Sequence, residues 1–280
     1  MKRKIYKKYS IMLAVLALAT ILMSAAMTAV LYFNHDYVTM LTDGTLHTVL
    51  MALIAPVFGA IGAAFALLVK KEQIIDHVAE GKLNLFCKIS CALVAIVGVI
   101  LSMSYMLADY SEPLKDLLNQ PSPIAYYSNL LAVVLAFCTS VVMAFMVFSK
   151  KGPYLPTRQL ALLCFAICYG VRLHTDMSNL LMNTRRMIAV LGISMLLIFI
   201  TAKIRVLCYK SAQTYYIISG TLAVGSLAIS GFSGVMLNIL GAANDGIQLW
   251  FYAFELVISI YVFSELLKYS CDSNTKKVKT

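Results

Sequence analysis

Leu46–Val69 reads LHTVLMALIAPVFGAIGAAFALLV, a run with no acidic, lysine or arginine residue, closed by Lys70 and Lys71. As a helix rising 1.5 Å per residue, it is long enough to cross the hydrocarbon core of a bilayer, which is about 30 Å thick. Seven further apolar stretches flank it: Ile11–Phe33, Leu85–Met106, Ile124–Phe148, Gln159–Leu181, Met187–Thr201, Tyr215–Leu240 and Ile247–Leu267. Barrel strands would appear as alternating segments of about ten residues. Nothing of that kind is present, and helices satisfy every backbone group internally, as lipid requires. The pattern predicts an all-α, polytopic transmembrane helical bundle of about eight helices.

Composition points the same way. Of the 280 residues, 61% are hydrophobic and 13% charged, with a mean hydropathy of +0.83. A soluble domain carries roughly 25% charged residues, because charge must cover its surface. The apolar stretches use up the chain, so 1–280 is read as one integral membrane domain, with 268–280 as a short basic tail.

The formal charge of +10 does not signal nucleic acid, because the basic residues form short clusters at the ends of the runs and no amphipathic basic face results. One set of ends holds Lys2, Arg3, Lys4, Lys7, Lys8, then Lys70, Lys71, Lys82 and Lys88. It continues through Lys150, Lys151, Arg158, Lys203, Arg205 and Lys210 to Lys268, Lys276, Lys277 and Lys279. The opposite ends hold only Lys115, Arg185 and Arg186, while Arg172 falls inside a run. Basic residues favour the cytoplasm, so both termini are expected there, in a plasma membrane. The first run resembles a signal peptide in its basic, apolar and small-residue regions. It continues to Phe33, however, and is read as a retained helix. Tyr126, Tyr127 and Trp250 at one side, with Tyr215, Tyr216 and Tyr269 at the other, fit interfacial anchors. Cys87/Cys91 and Cys164/Cys168 are each spaced i, i+4 and are read as small buried apolar residues. No metal or cofactor is expected.

The fifth run carries the unusual chemistry, Arg172-Leu173-His174-Thr175-Asp176. Arg172 lies about 20 Å up a helix begun at Gln159, a depth at which ionisable residues usually face a bundle interior or a wet cavity. Arg172 and Asp176, four apart, suit pairing on one face. Two plainer readings stay open: a self-neutralising pair that fixes packing, or a crossing that ends near Gly170. Arg185 and Arg186 stand outside against the charge bias. With Asn183 they suit an anion-attracting rim, since guanidinium forks match carboxylate and phosphate; a tight turn whose arginines touch headgroups fits equally. Glu255 is alone within Phe251-Tyr252-Ala253-Phe254-Glu255-Leu256-Val257, at a depth close to that of Arg172, so a pair between the fifth and eighth helices is allowed. His47 is read as interfacial and Lys88 as snorkelling.

Small residues recur at helical spacing as Ser226, Ser230 and Gly234 in the seventh run and as Ala55, Gly59 and Ala63 in the second. Such stripes let helix backbones approach closely in membranes. Pro56 would kink its helix. Gly231-Phe232-Ser233-Gly234 resembles the Gly-x-Ser-Gly of rhomboid intramembrane proteases, but no histidine follows His174 to activate the serine. No phosphate-binding loop, HExxH or paired-carboxylate motif appears.

The sequence therefore leads to an outward-facing polar cavity built from Arg172, His174, Asp176, Arg185, Arg186 and Glu255. A small anionic solute or a lipid headgroup suits it, in a transporter or permease-like protein. The alternative is a non-transporting membrane subunit or sensor that engages a partner protein, or a second copy of itself, through helix faces and cytoplasmic loops. An intramembrane enzyme has no catalytic constellation behind it.

Overall fold

Eight long helices form the bundle in the computed structural model, which describes residues 2–36, 41–42, 46–71, 85–111, 123–148, 155–175, 184–208, 212–241 and 246–271. They are α1 (Lys2–Asn34), α2 (Leu46–Lys71), α3 (Leu85–Ser111), α4 (Pro123–Phe148), α5 (Leu155–Thr175), α6 (Thr184–Leu207), α7 (Gln213–Ile239) and α8 (Gly246–Cys271). Between α1 and α2, His35–Asp36 pairs antiparallel with Leu41–Thr42. Most helices extend past the apolar runs. Hydropathy marks only the lipid-facing length, whereas backbone hydrogen bonding continues into polar flanks. The fifth helix is shifted: it begins at Leu155 with Pro156 in its first turn, where a missing N–H costs nothing.

Seven of these helices are long and apolar enough to cross a membrane. The exception is α5, whose span is interrupted by Arg158, Gln159, Arg172 and His174. It nevertheless traverses the same thickness as its neighbours. At its start Gln159 approaches Met146 near the end of α4, and at its end Thr175 lies 2.9 Å from Ser128 near the start of α4. A helix whose polar residues face protein does not need a fully apolar surface.

Consecutive helices run antiparallel. The start of α1 meets the end of α2, where the Tyr9 hydroxyl donates to the Leu68 carbonyl. The start of α3 meets the end of α8, where Ser90 and Ser264 are 2.8 Å apart. One end of the bundle thus gathers the starts of odd-numbered helices and the ends of even-numbered ones. This is the basic end, because the lysine clusters of the sequence fall there; the other is the far end.

In cross-section, α3, α4, α5, α6, α7 and α8 pack each against the next, and α8 closes on α3. Across this six-helix ring, α5 and α6 reach α8 through long side chains, not close backbone approach. Outside the ring, α1 and α2 pack on α7, on each other and, for α1, on α8. Their outer faces expose Leu18, Ile21, Leu22, Leu53 and Leu67, and apolar faces of this extent suit lipid contact.

The sequence of α7 explains how it sits among so many neighbours. Its glycines admit three of them: Phe199 of α6 and Leu266 of α8 lie over Gly220, the Phe58 ring of α2 over Gly225, the backbone of α8 over Gly231 and the Tyr252 ring of α8 over Gly234. Ser219, Thr221, Ser226 and Ser233 turn their hydroxyls back on carbonyls of their own helix. That satisfies them without water.

The stripe Ser226, Ser230 and Gly234 is buried. On α2, by contrast, Ala55 and Ala63 are exposed, and a Cβ at Gly59 would meet nothing within 4 Å. The inward face of α2 is Ile54, Phe58, Gly62, Phe65 and Val69, and its close approach is at Gly62 against Thr221 and Ile218. Small size permits proximity, but the bulky residues beside it decide which face turns inward.

Candidate functional site

Two buried polar layers occupy the inside of the ring. The far-end layer centres on Glu255, which is 1% exposed. The Tyr169 hydroxyl of α5 donates to its Oε1 at 2.6 Å. Ser230 of α7 faces the same carboxyl group. Yet Glu255 Oε2 and Ser230 Oγ are both buried without a hydrogen-bond partner among the described residues. One turn above Tyr169, Arg172 is 7% exposed. Its guanidinium carbon sits 3.8 Å from the centre of the Phe251 ring, and its Nε donates to Asn129 Oδ1 of α4 at 2.8 Å. Arg185 of α6 lies over the Tyr252 ring and donates to its hydroxyl. Cation–π contact of this kind holds a guanidinium where water is scarce.

Within and below this layer the ring is filled by aromatic side chains. Tyr169 stacks on Phe251 with centroids 5.4 Å apart, Phe165 stacks on Tyr169 at 5.4 Å, and Phe254 meets Phe165 edge-on at 4.9 Å. This column separates the far-end layer from the basic-end layer.

The basic-end layer is an ion cluster. Glu265, fully buried on α8, receives Lys268 at 2.6 Å and Lys203 of α6 at 3.1 Å on the same oxygen. Cys87 of α3 donates its thiol to the other oxygen at 3.2 Å. Lys203 also donates to the Tyr261 hydroxyl at 2.6 Å, and Tyr261 donates to Gln159 of α5. One carboxyl group thus faces two lysine side chains inside protein. Glu255 and Glu265, ten residues apart, set the layers about 15 Å apart along α8.

The expected site residues separate as follows. Arg172, Arg185 and Glu255 come together on the inside of the ring, from α5, α6 and α8. Arg186 is buried at the start of α6, whereas His174 is exposed at the end of α5. Asp176 lies outside the described residues, as does Asn183, so the Arg172–Asp176 pair is not part of the described geometry. The expected anchor Tyr215 is exposed, but Tyr216 is buried and stacks on Phe199.

Sequence reasoning missed the basic-end layer. Lys203 and Lys268 stand where flanking cations are expected, and they were counted only for orientation. The available signal was Glu265, an acid inside an apolar run three residues before a lysine. A groove of about 400 Å³ between α6 and α7, lined by Leu197, Ile198, Thr201, Arg205 and Tyr215 among others, contains none of the expected residues.

Comparison with known proteins finds no matching family model, no matching curated protein and no matching solved structure.

Proposed function

We propose that the chain is a membrane transporter for a small anionic solute, bound at the far-end layer between Arg172 and Arg185. The observation that carries this reading is the convergence of Arg172, Arg185 and Glu255, from α5, α6 and α8, on the inside of one ring. Glu255 lies well inside α8, a depth at which ionisable groups are costly and commonly mark a solute or ion path, and Arg172 and Arg185 stand above it in the end turns of their helices. The two guanidiniums rest on aromatic faces, so an anion would replace cation–π contacts with stronger charge-assisted hydrogen bonds. Aromatic side chains below would close the path, and Lys203 and Lys268 would offer the next positive station. Passage would require those side chains to turn, which is less demanding than parting packed backbones. By the charge bias, the far end would face away from the cytoplasm.

The test is a thermal-stability screen of purified protein against acetate and inorganic phosphate, with anionic phospholipid in a parallel arm. An anion that raises the melting temperature of wild type but not of Arg172→Gln or Arg185→Gln supports the reading, because occupancy stabilises the bound state. A shift produced only by phospholipid assigns the arginines to headgroup binding. If nothing shifts wild type while both variants stay folded, transport of an anion loses its basis.

A second reading is a membrane subunit that docks on a partner helix. The outward face of Ala55, Gly59 and Ala63 favours it, because the two alanines are exposed and a Cβ at Gly59 would meet nothing within 4 Å among the described residues. A bulky Gly59→Leu substitution would then abolish association without altering the anion response.

A further inference from the structure

The Glu255 carboxyl group shows an imbalance that ordinary packing does not explain. It is enclosed by α5, α7 and α8, and only Oε1 has a donor. An ionised carboxylate is acceptor-only and costly to bury without pairing. Glu255 forms no ion pair among the described residues, although Arg172 is near enough to influence it electrostatically. Arg172 instead holds Asn129 and the Phe251 face. Meanwhile Ser230 Oγ, fully buried on the facing helix, is also unsatisfied. A neutral carboxyl group can donate from Oε2 to Ser230 Oγ, whereas an ionised one would be buried with only the Tyr169 and Ser230 hydroxyls as donors and no cation in contact among the described residues.

We propose that Glu255 is a proton-binding site, its neutral carboxyl group donating from Oε2 to Ser230 Oγ while accepting from Tyr169. The groups that face it are Tyr169 and Arg172 on α5, Arg185 on α6, Ser230 on α7 and Tyr252 on α8. Gly98 of α3, beneath Phe254, adds no charge. Neither α1 between Tyr9 and Phe33 nor α3 between Ile89 and Leu107 contains a charged residue. The proton therefore decides what Arg172 does. While Glu255 is neutral, the guanidinium stays on Phe251. Once the proton leaves, the carboxylate competes for that guanidinium with any incoming anion. Proton and anion are thus bound in the same direction, and by linkage each tightens the other. This coupling rests on the anion reading above; the proton site itself does not.

Infrared difference spectroscopy of the full-length protein, with no anion added, tests the site. Wild type minus Glu255→Gln at neutral pH should show one protonated-carboxyl band that titrates away as pH rises. Ser230→Ala should displace that band by removing its acceptor, and Glu265→Gln should leave it in place. Absence of the band from the difference spectrum overturns the proposal, whatever anion the protein binds. If the band is present but neither acetate nor phosphate stabilises wild type, the proton site stands and the anion reading falls. Where one of them does stabilise wild type, the shift should grow as pH falls and be pH-independent in Glu255→Gln. A shift equally pH-dependent in both proteins removes the coupling.

Discussion

Two glutamates on α8 share a helix and a depth of burial but not a chemistry. Glu265 has a cation at 2.6 Å and another at 3.1 Å, so its charge is compensated and its role is to hold α3, α6 and α8 together. Removing it would leave two ammonium groups facing each other inside protein. Glu265→Ala is therefore expected to lose about 3–5 kcal/mol of stability. Lys268→Met should lose less, because Lys203 keeps its partner. Thermal unfolding in mild detergent checks the order, and equal melting temperatures for Glu265→Ala and wild type would refute it. Glu255 was visible in the sequence because it stands alone among aromatic and aliphatic residues. Glu265 also stands inside an apolar run, but Lys268 one turn away offers it a ready partner on the same helix. Charge type and spacing show that a residue is unusual; only its neighbours on other helices show whether it is compensated.

At the level of the helix, α7 and α2 teach opposite lessons from the same pattern. In α7 small residues occur on every side, so whichever face is chosen, a neighbour can come close. In α2 a single stripe was visible, but burial of Phe58 and Phe65 turned it outward and gave the contact to Gly62. Glycine substitution separates the two. A Cβ at Gly231 would fall 2.7 Å from the Tyr252 carbonyl oxygen and 2.8 Å from the Leu256 nitrogen. Backbone cannot step aside as a side-chain tip can. Gly231→Ala is expected to destabilise by roughly 1–3 kcal/mol through overpacking. Gly59→Ala should be neutral or stabilise by up to about 1 kcal/mol, since alanine is the better helix former and space is open. Melting temperatures of the two single variants, measured side by side, decide this; a larger loss at Gly59 would reverse the assignment of faces. The displaced start of α5 has a related origin, because Gln159 near its start is buried against protein and hydropathy registers only contact with lipid.

For the molecule as a whole, the number of helices and their alternation were plain from hydropathy and the placement of lysines, since both reflect the solvent directly. The ring was not, because nothing in an apolar segment names its neighbour. Orientation is a separate expectation. Reporter domains fused to the N-terminus and to the C-terminus should both report the cytoplasm, and signals from opposite compartments would contradict an even number of crossings. The position of α1 and α2 also bears on how the chain is made. Their partners in the bundle, apart from each other and a slight approach to α6, are α7 and α8. At roughly 5–20 residues per second of synthesis, the first hairpin waits on the order of ten seconds for the helices that will hold it. In that interval the faces that will meet α7 and α8 are without those partners, so α1 and α2, made before them, can be settled only after them.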